Sequence, residues 1–119
     1  MICCSFVFEP GEYDDDFHRL DAEIDAYARG LEGFVRVDRW FSDDRRFQNS
    51  MYFFADYRAV KELANYPQHL VAKSDVDRWY RSYRVDVFEQ KTSYGSAQRD
   101  TAEYASPADN ASTIEQDNA

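Results

Sequence analysis

Two side chains that could move a proton lie one helical turn apart near the middle of the sequence, Tyr66 and His69. An unperturbed histidine has a pKa of about 6.5, so His69 can accept or donate a proton near neutral pH. Tyr66 would share one side of a helix with His69 and could orient it or a ligand. The sequence therefore predicts both as catalytic residues. A plainer alternative stays open, in which His69 bonds a backbone carbonyl and Tyr66 packs beneath Pro67.

Aromatic side chains could hold a flat ligand beside that pair. Trp40 and Trp79 are the largest of them, and Tyr52 and Phe54 offer further flat surfaces. Aromatic residues in small domains usually belong to the core, which is the competing interpretation for each. We predict Trp40 and Trp79 as substrate-binding residues.

Four smaller features could complete the same pocket. Arg36 and Asp38 lie one pleat apart on a predicted strand. They could position a ligand anion, or form a surface pair that contributes little. Cys4 and Phe6 share one face of the first predicted strand and would border the pocket, although a buried apolar cysteine is usually inert.

Composition limits the class of protein. The chain has 119 residues, of which 44% are hydrophobic and 17% aromatic, enough for one domain with a compact core. Its 14 Lys and Arg are outnumbered by 23 Asp and Glu, which gives a net charge of −9. Such a charge repels phosphate backbones, so we expect no nucleic-acid partner.

The cysteines and the hydropathy pattern indicate the compartment. Cys3 and Cys4 are adjacent, and neighbours in a strand point to opposite faces, so they cannot form a bridge with each other. We expect two free thiols in a reducing compartment. No segment approaches 18 apolar residues and no charged start precedes an apolar run, so we expect neither a membrane span nor a signal peptide. The expected location is cytoplasmic.

The first elements follow from hydrophobic periodicity. Residues 2–9 are rich in β-formers, apolar on both faces and closed by the turn pair Pro10-Gly11, which predicts a strand covered on both sides. Apolar residues then recur at three- and four-residue steps from about 14 to 31. This pattern predicts an amphipathic helix with acidic residues at its N-terminus.

The remaining elements define the fold class. Residues 34–41 and 47–55 alternate in polarity and predict a β-hairpin. A helix from Asp56 is broken at Pro67, which opens a second short helix, and a strand begins near Trp79. The order strand, helix, strand, strand, helix, strand predicts an α+β, ferredoxin-like split βαβ fold. The domain spans residues 1–95, and the polar segment 96–119 is expected to be a disordered or loosely docked tail.

Several short motifs within residues 1–95 resemble the antibiotic biosynthesis monooxygenase domain in their order and spacing. They are the Leu-Glu-Gly-Phe turn at 31–34, the aspartate at 56, the Pro-Gln-His turn at 67–69, the Trp-Tyr pair at 79–80 and the closing Tyr-Gly at 94–95. The resemblance implies a dimeric α/β barrel of two ferredoxin-like subunits, with each pocket between one subunit's sheet and its own helices.

The same resemblance implies a leading function and two alternatives. The leading one is a cofactor-independent monooxygenase that oxidises a small aromatic, polyketide-like phenol or anthrone with dioxygen in secondary-metabolite biosynthesis. The first alternative is a haem-binding or haem-degrading protein. It fits less well, because Cys4 replaces the asparagine of that branch, Ala59 replaces its tryptophan, and only His69 matches. The second alternative is a non-catalytic, ligand-binding dimer.

A homodimer is expected on physical grounds as well. A four-stranded sheet with helices on one face would leave the other face in water, which is a larger apolar patch than monomers usually expose. The apolar residues that we expect on the helix-free face are Val7, Val35, Val37, Tyr52, Phe54, Val85 and Val87.

Overall fold

The computed structural model describes residues 1–96, which form a four-stranded sheet with helices packed on one side. The predicted tail at 96–119 lies outside the described residues except for Ser96. Within residues 1–96, no helix is both long enough and apolar enough to cross a membrane.

The elements follow the predicted order. The strands are β1 (Ile2–Pro10), β2 (Phe34–Phe41), β3 (Gln48–Phe54) and β4 (Tyr80–Glu89), and the helices are α1 (Asp15–Gly30), α2 (Tyr57–Ala64), α3 (Pro67–Ser74) and α4 (Val76–Trp79). The sheet order is β2-β3-β1-β4, and every neighbouring pair is antiparallel. The α+β, ferredoxin-like prediction is therefore confirmed.

Local sequence signals fix where the helices begin. The side chain of Asp14 accepts from the Phe17 backbone N–H and caps α1, and Asp56 caps α2 through the N–H groups of Arg58 and Ala59. Each cap satisfies N–H groups that a helix start leaves without a partner. Pro67 occupies the first turn of α3, where its missing N–H has no consequence, so the predicted break between two helices is confirmed.

Two clusters of buried side chains join the helices to the sheet. Near the start of α1 the cluster consists of Phe8, Phe17, Leu20 and Trp79. Near its end the cluster consists of Ala28, Phe54, Ala59 and Val60. Both lie on the side of β1 that carries Cys4, Phe6 and Phe8, which is the side that the helices cover.

A β-bulge in β2 changes which residues share a face. The pairing of β2 with β3 shifts between Phe34 and Arg36, so Phe34 turns towards the helices while Arg36 and Asp38 lie on the open side. Strict alternation along residues 34–41 predicts Phe34, Arg36, Asp38 and Trp40 on one face, and this prediction is wrong for Phe34.

The predicted composition of the helix-free face is also largely wrong. Tyr52 lies opposite Cys4, and Val37 lies opposite Tyr52, so both belong to the helix-facing side. Alternation along one strand divides its residues into two faces but does not say which face the helices cover. The register between neighbouring strands decides that. The other residues that register places on the helix-facing side are Phe54, Val85 and Val87.

Gly11 lets the end of β1 approach α4. Its N–H donates to the carbonyl oxygen of Trp79 at 2.7 Å, and a Cβ at this position would lie 2.9 Å from the same oxygen. Only glycine fits there without moving the backbone, because that oxygen is main chain and cannot swing aside. This contact holds the start of β4 beside β1.

Candidate functional site

The register places two rows of side chains across the helix-facing side of the sheet. Going from β4 to β2, one row consists of Val87, Cys4, Tyr52 and Val37, and the next consists of Val85, Phe6, Ser50 and Arg39. The second row is therefore apolar at the β4 edge and polar towards β2, whereas the first row ends in valine on both sides. A ligand that lies along the second row would meet hydrocarbon at one end and charge at the other.

The β4 end of this surface is not covered by a helix. Val85 is 56% exposed and Val87 is 48% exposed, although both face the helix side. The reason is the position of α3, which packs against α1 and leaves the edge strand open. Phe6 continues the apolar strip inward, where its ring meets Tyr80 edge-on at 5.2 Å.

Three residues form a hydrogen-bonded group at the polar end. The Tyr52 hydroxyl donates to Oδ1 of Asp25 at 2.5 Å, which joins β3 to α1. Nη2 of Arg39 on β2 donates to the same oxygen at 3.4 Å and to the Tyr52 hydroxyl at 3.2 Å. The Arg39 cation is therefore fixed in place between the sheet and α1.

Charge and burial act in opposite directions on this group. Burial disfavours the charged form of Asp25, but the hydrogen bond from Tyr52 and the cations of Arg29 and Arg39 outweigh it, so its pKa is lowered. Burial would also lower the pKa of Arg39, yet Tyr52, Asp25 and Asp21 raise it overall. Nε of Arg39 is buried and has no hydrogen-bond partner among the described residues.

Asp21 lies one helical turn before Asp25 on α1 and differs from it. Burial raises the pKa of its carboxyl to about 7, with attraction from Arg39 opposing the shift and repulsion from Asp25 adding to it. Within residues 1–96, no hydrogen bond or ion pair satisfies this carboxylate. Asp25 is thus bonded to other side chains of the chain, whereas Asp21 is not.

Two further tyrosines close the group beside Asp21. Burial raises the pKa of Tyr13, with the negative charge of Asp21 adding to the effect, and burial likewise raises the pKa of Tyr80. Both therefore stay protonated and can donate a hydrogen bond near neutral pH. We call the whole set the interior polar cluster; its members are Tyr13, Asp21, Asp25, Arg39, Tyr52 and Tyr80.

Of the residues predicted from the sequence, Cys4 and Phe6 lie next to this cluster. Cys4 is opposite Tyr52, and Phe6 is in the row of Arg39. Burial raises the pKa of the Cys4 thiol to about 11, with Cys3 contributing, so Cys4 is a neutral wall residue near neutral pH.

Arg36, Asp38 and Trp40 lie on the opposite face of the sheet. Arg36 forms an ion pair with Asp38 at 3.2 Å, and its guanidinium stands 3.8 Å from the centre of the Phe53 ring. Trp40 is 57% exposed on this open face. The structure therefore does not bring these three residues together with His69 or with the interior polar cluster.

Trp79 is part of the core. It is 2% exposed, packs edge-on against Phe17 at 5.4 Å, and donates from Nε1 to Oδ1 of Asp14 at 3.1 Å. These contacts bind α4 to the start of α1. They match the core interpretation that the sequence left open for its aromatic residues.

His69 and Tyr66 lie on α3 and at its N-terminus. Burial lowers the pKa of His69, and the neighbouring Lys73 lowers it further. Hydrogen bonds to the backbone of Ala64 and Leu63 raise the pKa but do not offset this, so the ring is neutral at pH 7. Its Nδ1 is buried without a hydrogen-bond partner among the described residues.

Tyr66 faces a different neighbour. Its ring stacks on Tyr27 of α1 at 3.8 Å, and the two rings line an open groove of about 640 Å³ with Arg58 and Lys61. The predicted pair thus lies at the interface of α1, α2 and α3. Its catalytic role stays a prediction.

Most of the interior polar cluster is absent from the sequence-based prediction of the site, although two signals for it exist. Asp21 and Asp25 follow Phe17 at four-residue steps, which places two like charges beside the apolar stripe of α1. Arg39 lies between Val37 and Phe41 on a strand face that is otherwise apolar. A charge on a buried face needs a partner, and the acidic pair on α1 supplies it.

Comparison with solved structures finds the same fold in several proteins. SnoaB, a cofactor-independent oxygenase from Streptomyces nogalater, aligns over 80% of this chain and 97% of its own, with 14% identity and a TM-score of 0.63. A proposed antibiotic biosynthesis monooxygenase from Deinococcus radiodurans aligns over 82% of this chain and 100% of its own, with 10% identity and a TM-score of 0.64.

A third solved structure is described as having a ferredoxin-like fold. A dabb family protein with a ferredoxin-like fold from Mesorhizobium loti aligns over 76% of this chain and 97% of its own, with 14% identity and a TM-score of 0.52. No protein-family model matches the sequence, and no curated protein sequence matches it either. The resemblance to antibiotic biosynthesis monooxygenases is therefore confirmed at the level of the fold.

Proposed function

We propose that this protein is a cofactor-independent oxygenase that oxidises a small, polycyclic phenol of the anthrone type with dioxygen. The observation that carries this proposal is the Arg39 cation, which Asp25 and Tyr52 hold at the polar end of an apolar strip. An ionised phenol needs this combination, because its rings prefer hydrocarbon and its oxygen prefers a fixed cation.

Arg39 would stabilise the ionised form of the substrate. A phenol of ordinary acidity has a pKa of about 10, and a cation beside its oxygen lowers that value. The resulting phenolate passes electrons to dioxygen far more readily than the neutral phenol does. Phe6, Val85 and Val87 would hold the rings while the oxygen points towards Arg39.

The reaction balances without an external reductant. An anthrone loses two hydrogens from its central carbon, and that carbon gains a carbonyl oxygen from dioxygen. The second oxygen atom leaves as water with the two hydrogens, after a peroxide on the carbon has broken its O–O bond. The substrate supplies all four electrons that dioxygen accepts.

Two of the structural neighbours support this choice. SnoaB is described as a cofactor-independent oxygenase, and the Deinococcus protein as a proposed antibiotic biosynthesis monooxygenase. At such low identity, these neighbours share the fold with this chain but do not identify its substrate. The choice of a phenol therefore rests on the arrangement around Arg39.

Oxygen consumption with a hydroxyanthrone tests the proposal, with the rate in buffer alone subtracted. We expect the purified protein to accelerate the reaction and the variant Arg39→Met to lose roughly 10²-fold or more of that rate, as when other charge-stabilising donors are removed. Arg19→Met removes a cation from an exposed ion pair with Asp16 on α1 and is the matched control. An inert wild-type protein across hydroxyanthrones would exclude the proposed reaction.

The haem alternative has its own test. Titration with haemin would give a Soret band if His69 binds the iron, and His69→Ala would remove that band. A tight haemin complex in a protein without oxygenase activity would favour this alternative over the oxygenase.

A further inference from the structure

An open groove lies between α1, α2 and the start of α3. Its volume is about 640 Å³, and the side chains that line it include Tyr27, Arg58, Lys61, Glu62 and Tyr66. Sites for small molecules commonly have volumes of roughly 300 to 1,000 Å³, so the groove is large enough for a small aromatic molecule. None of these five residues belongs to the interior polar cluster.

Two stacked rings form the aromatic wall of the groove. The ring of Tyr27 on α1 lies nearly parallel to that of Tyr66, with an interplanar angle of 5° and a distance of 3.8 Å between the ring centres. Both residues are partly exposed where they line the groove, so ring surface remains for a ligand to contact. Flat aromatic molecules stack on such rings or meet them edge-on, and either contact is favourable beyond the apolar area that it buries.

The side chains that line the groove carry a net positive charge. Arg58 and Lys61 lie three residues apart, which places them on the same side of α2. Lys61 forms no ion pair among residues 1–96, and Arg58 approaches only Asp56 there, at 3.8 Å and with both side chains more than half exposed. Such an exposed pair contributes little. Two cations and the single carboxylate of Glu62 leave one positive charge, which favours a ligand with one negative charge.

We propose that this groove is a second binding site of the protein and that it takes a planar aromatic monocarboxylate. The ring would lie against Tyr27 and Tyr66, and the carboxylate would bind between Arg58 and Lys61. The planar guanidinium of an arginine matches a carboxylate with two parallel hydrogen bonds, which fixes the orientation of the ligand. A doubly charged phosphate ester is disfavoured, because Glu62 would repel the second charge.

The groove is distinct from the interior polar cluster. Tyr27 follows Asp25 by two residues on α1, which corresponds to a rotation of roughly 200°, so the two side chains point to nearly opposite sides of the helix. On α2, Arg58 and Lys61 are exposed, whereas Val60 between them faces the core. The inference therefore does not depend on the proposed oxygenase function, and either can fail without the other.

Calorimetric titration of the 119-residue protein with 2-naphthoate tests the proposal. We expect saturable binding of one ligand per chain. The double variant Arg58→Gln with Lys61→Gln should weaken this binding roughly tenfold or more, because it removes two charge-assisted contacts. The double variant Arg81→Gln with Lys91→Gln removes two exposed cations elsewhere and changes the net charge equally. It is the matched control and should bind within about twofold of wild type, since distant exposed charges are screened by salt.

Two analogues separate the contributions of the ring and the charge. Naphthalene-2-carboxamide keeps the ring without the charge, and acetate keeps the charge without the ring, so we expect both to bind roughly tenfold or more weakly than 2-naphthoate. Absence of saturable binding of 2-naphthoate would overturn the proposal, and so would equal affinity of the wild-type protein and the double variant at Arg58 and Lys61. Binding that is lost in Arg39→Met but kept in that double variant would place the anion at the interior polar cluster and would also overturn it.

Discussion

Tyr52 on β3 donates a hydrogen bond of 2.5 Å to Asp25 on α1, and the same carboxylate oxygen accepts from Arg39 on β2. One side chain of the helix thus binds two strands of the sheet. Its second oxygen accepts from Arg29 at 2.8 Å, so Asp25 is fully engaged.

The first prediction concerns the hydrogen bond from Tyr52 to Asp25. Tyr52→Phe removes the hydroxyl and leaves the half-buried Asp25 with one donor fewer, so we expect a loss of about 1 to 3 kcal/mol in the free energy of unfolding. Denaturant unfolding monitored by circular dichroism measures it. Tyr57→Phe removes a hydroxyl from a side chain of a residue that is 54% exposed and should change stability little. Equal stability of the two variants would show that the Tyr52 bond contributes nothing net.

The second prediction is that removing the Asp21 charge stabilises the fold. The carboxyl releases its proton at 3.8 when unperturbed and at about 7 in the folded protein, so between these values the folded state binds more protons. Stability is then lost as the pH rises through this window, and the full loss is present above it. At about 1.4 kcal/mol per pKa unit, Asp21→Asn should be more stable than wild type by roughly 2 to 4 kcal/mol at pH 8.

Denaturant unfolding at pH 5 and pH 8 checks this second prediction. The difference between Asp21→Asn and wild type should be clearly smaller at pH 5, because Asp21 is then almost fully protonated in the folded chain and the fold no longer holds its charge. Asp43→Asn makes the same change on an exposed turn and should show no such difference at either pH. A variant that is less stable than wild type at pH 8 would contradict the prediction, and with it the unfavourable burial of Asp21.

Much of the fold could be predicted from the sequence because its signals are local. The capping aspartates at 14 and 56, the break at Pro67 and the change of period at Trp79 each depend on neighbours in the chain. The order of elements then leaves few topologies to consider. These predictions agree with the structure to within one or two residues at most boundaries.

The composition of each face could not be predicted with the same success. It depends on the register between β1 and β3 and on the bulge between Phe34 and Arg36, and both are set by contacts between distant segments. For the same reason, the residues that we predicted for one site are divided between the two faces of the sheet. Arg36, Asp38 and Trp40 lie on one face, and Cys4 and Phe6 lie on the other, because a one-residue shift moves a side chain through the sheet.

The third prediction tests His69. The ring is neutral at pH 7 and is wedged against the carbonyls of Leu63 and Ala64, so we expect His69→Ala to lower the melting temperature while turnover stays within a few fold of wild type. Thermal unfolding and oxygen consumption on the same preparation measure both effects. The variant Tyr66→Phe is measured in the same way for comparison. A fall in turnover of roughly 10²-fold in a folded His69→Ala protein would instead support the catalytic role predicted from the sequence.

The last prediction is that two copies pair through the open face of the sheet. This face carries Phe88 and Trp40, which are 51% and 57% exposed, together with Val7 between them. Exposed aromatic groups on a flat sheet favour association, since burying each apolar Å² contributes about 25 cal/mol. Arg36 forms an ion pair with Asp38 within one chain, and Arg84 does so with Asp86, so these charges need not separate when two copies meet.

Light scattering at micromolar concentration measures this association, and we expect a mass near twice the 14.0 kDa of one chain. Phe88→Glu places a charge on the open face and should shift the mass towards that of the monomer, because a buried charge without a partner is strongly unfavourable. Tyr57→Glu places the same charge on an aromatic position of α2 that is 54% exposed, and it should leave the dimer intact. A wild-type mass near 14.0 kDa would contradict the dimeric barrel. A Phe88→Glu protein that remains dimeric would place the interface elsewhere.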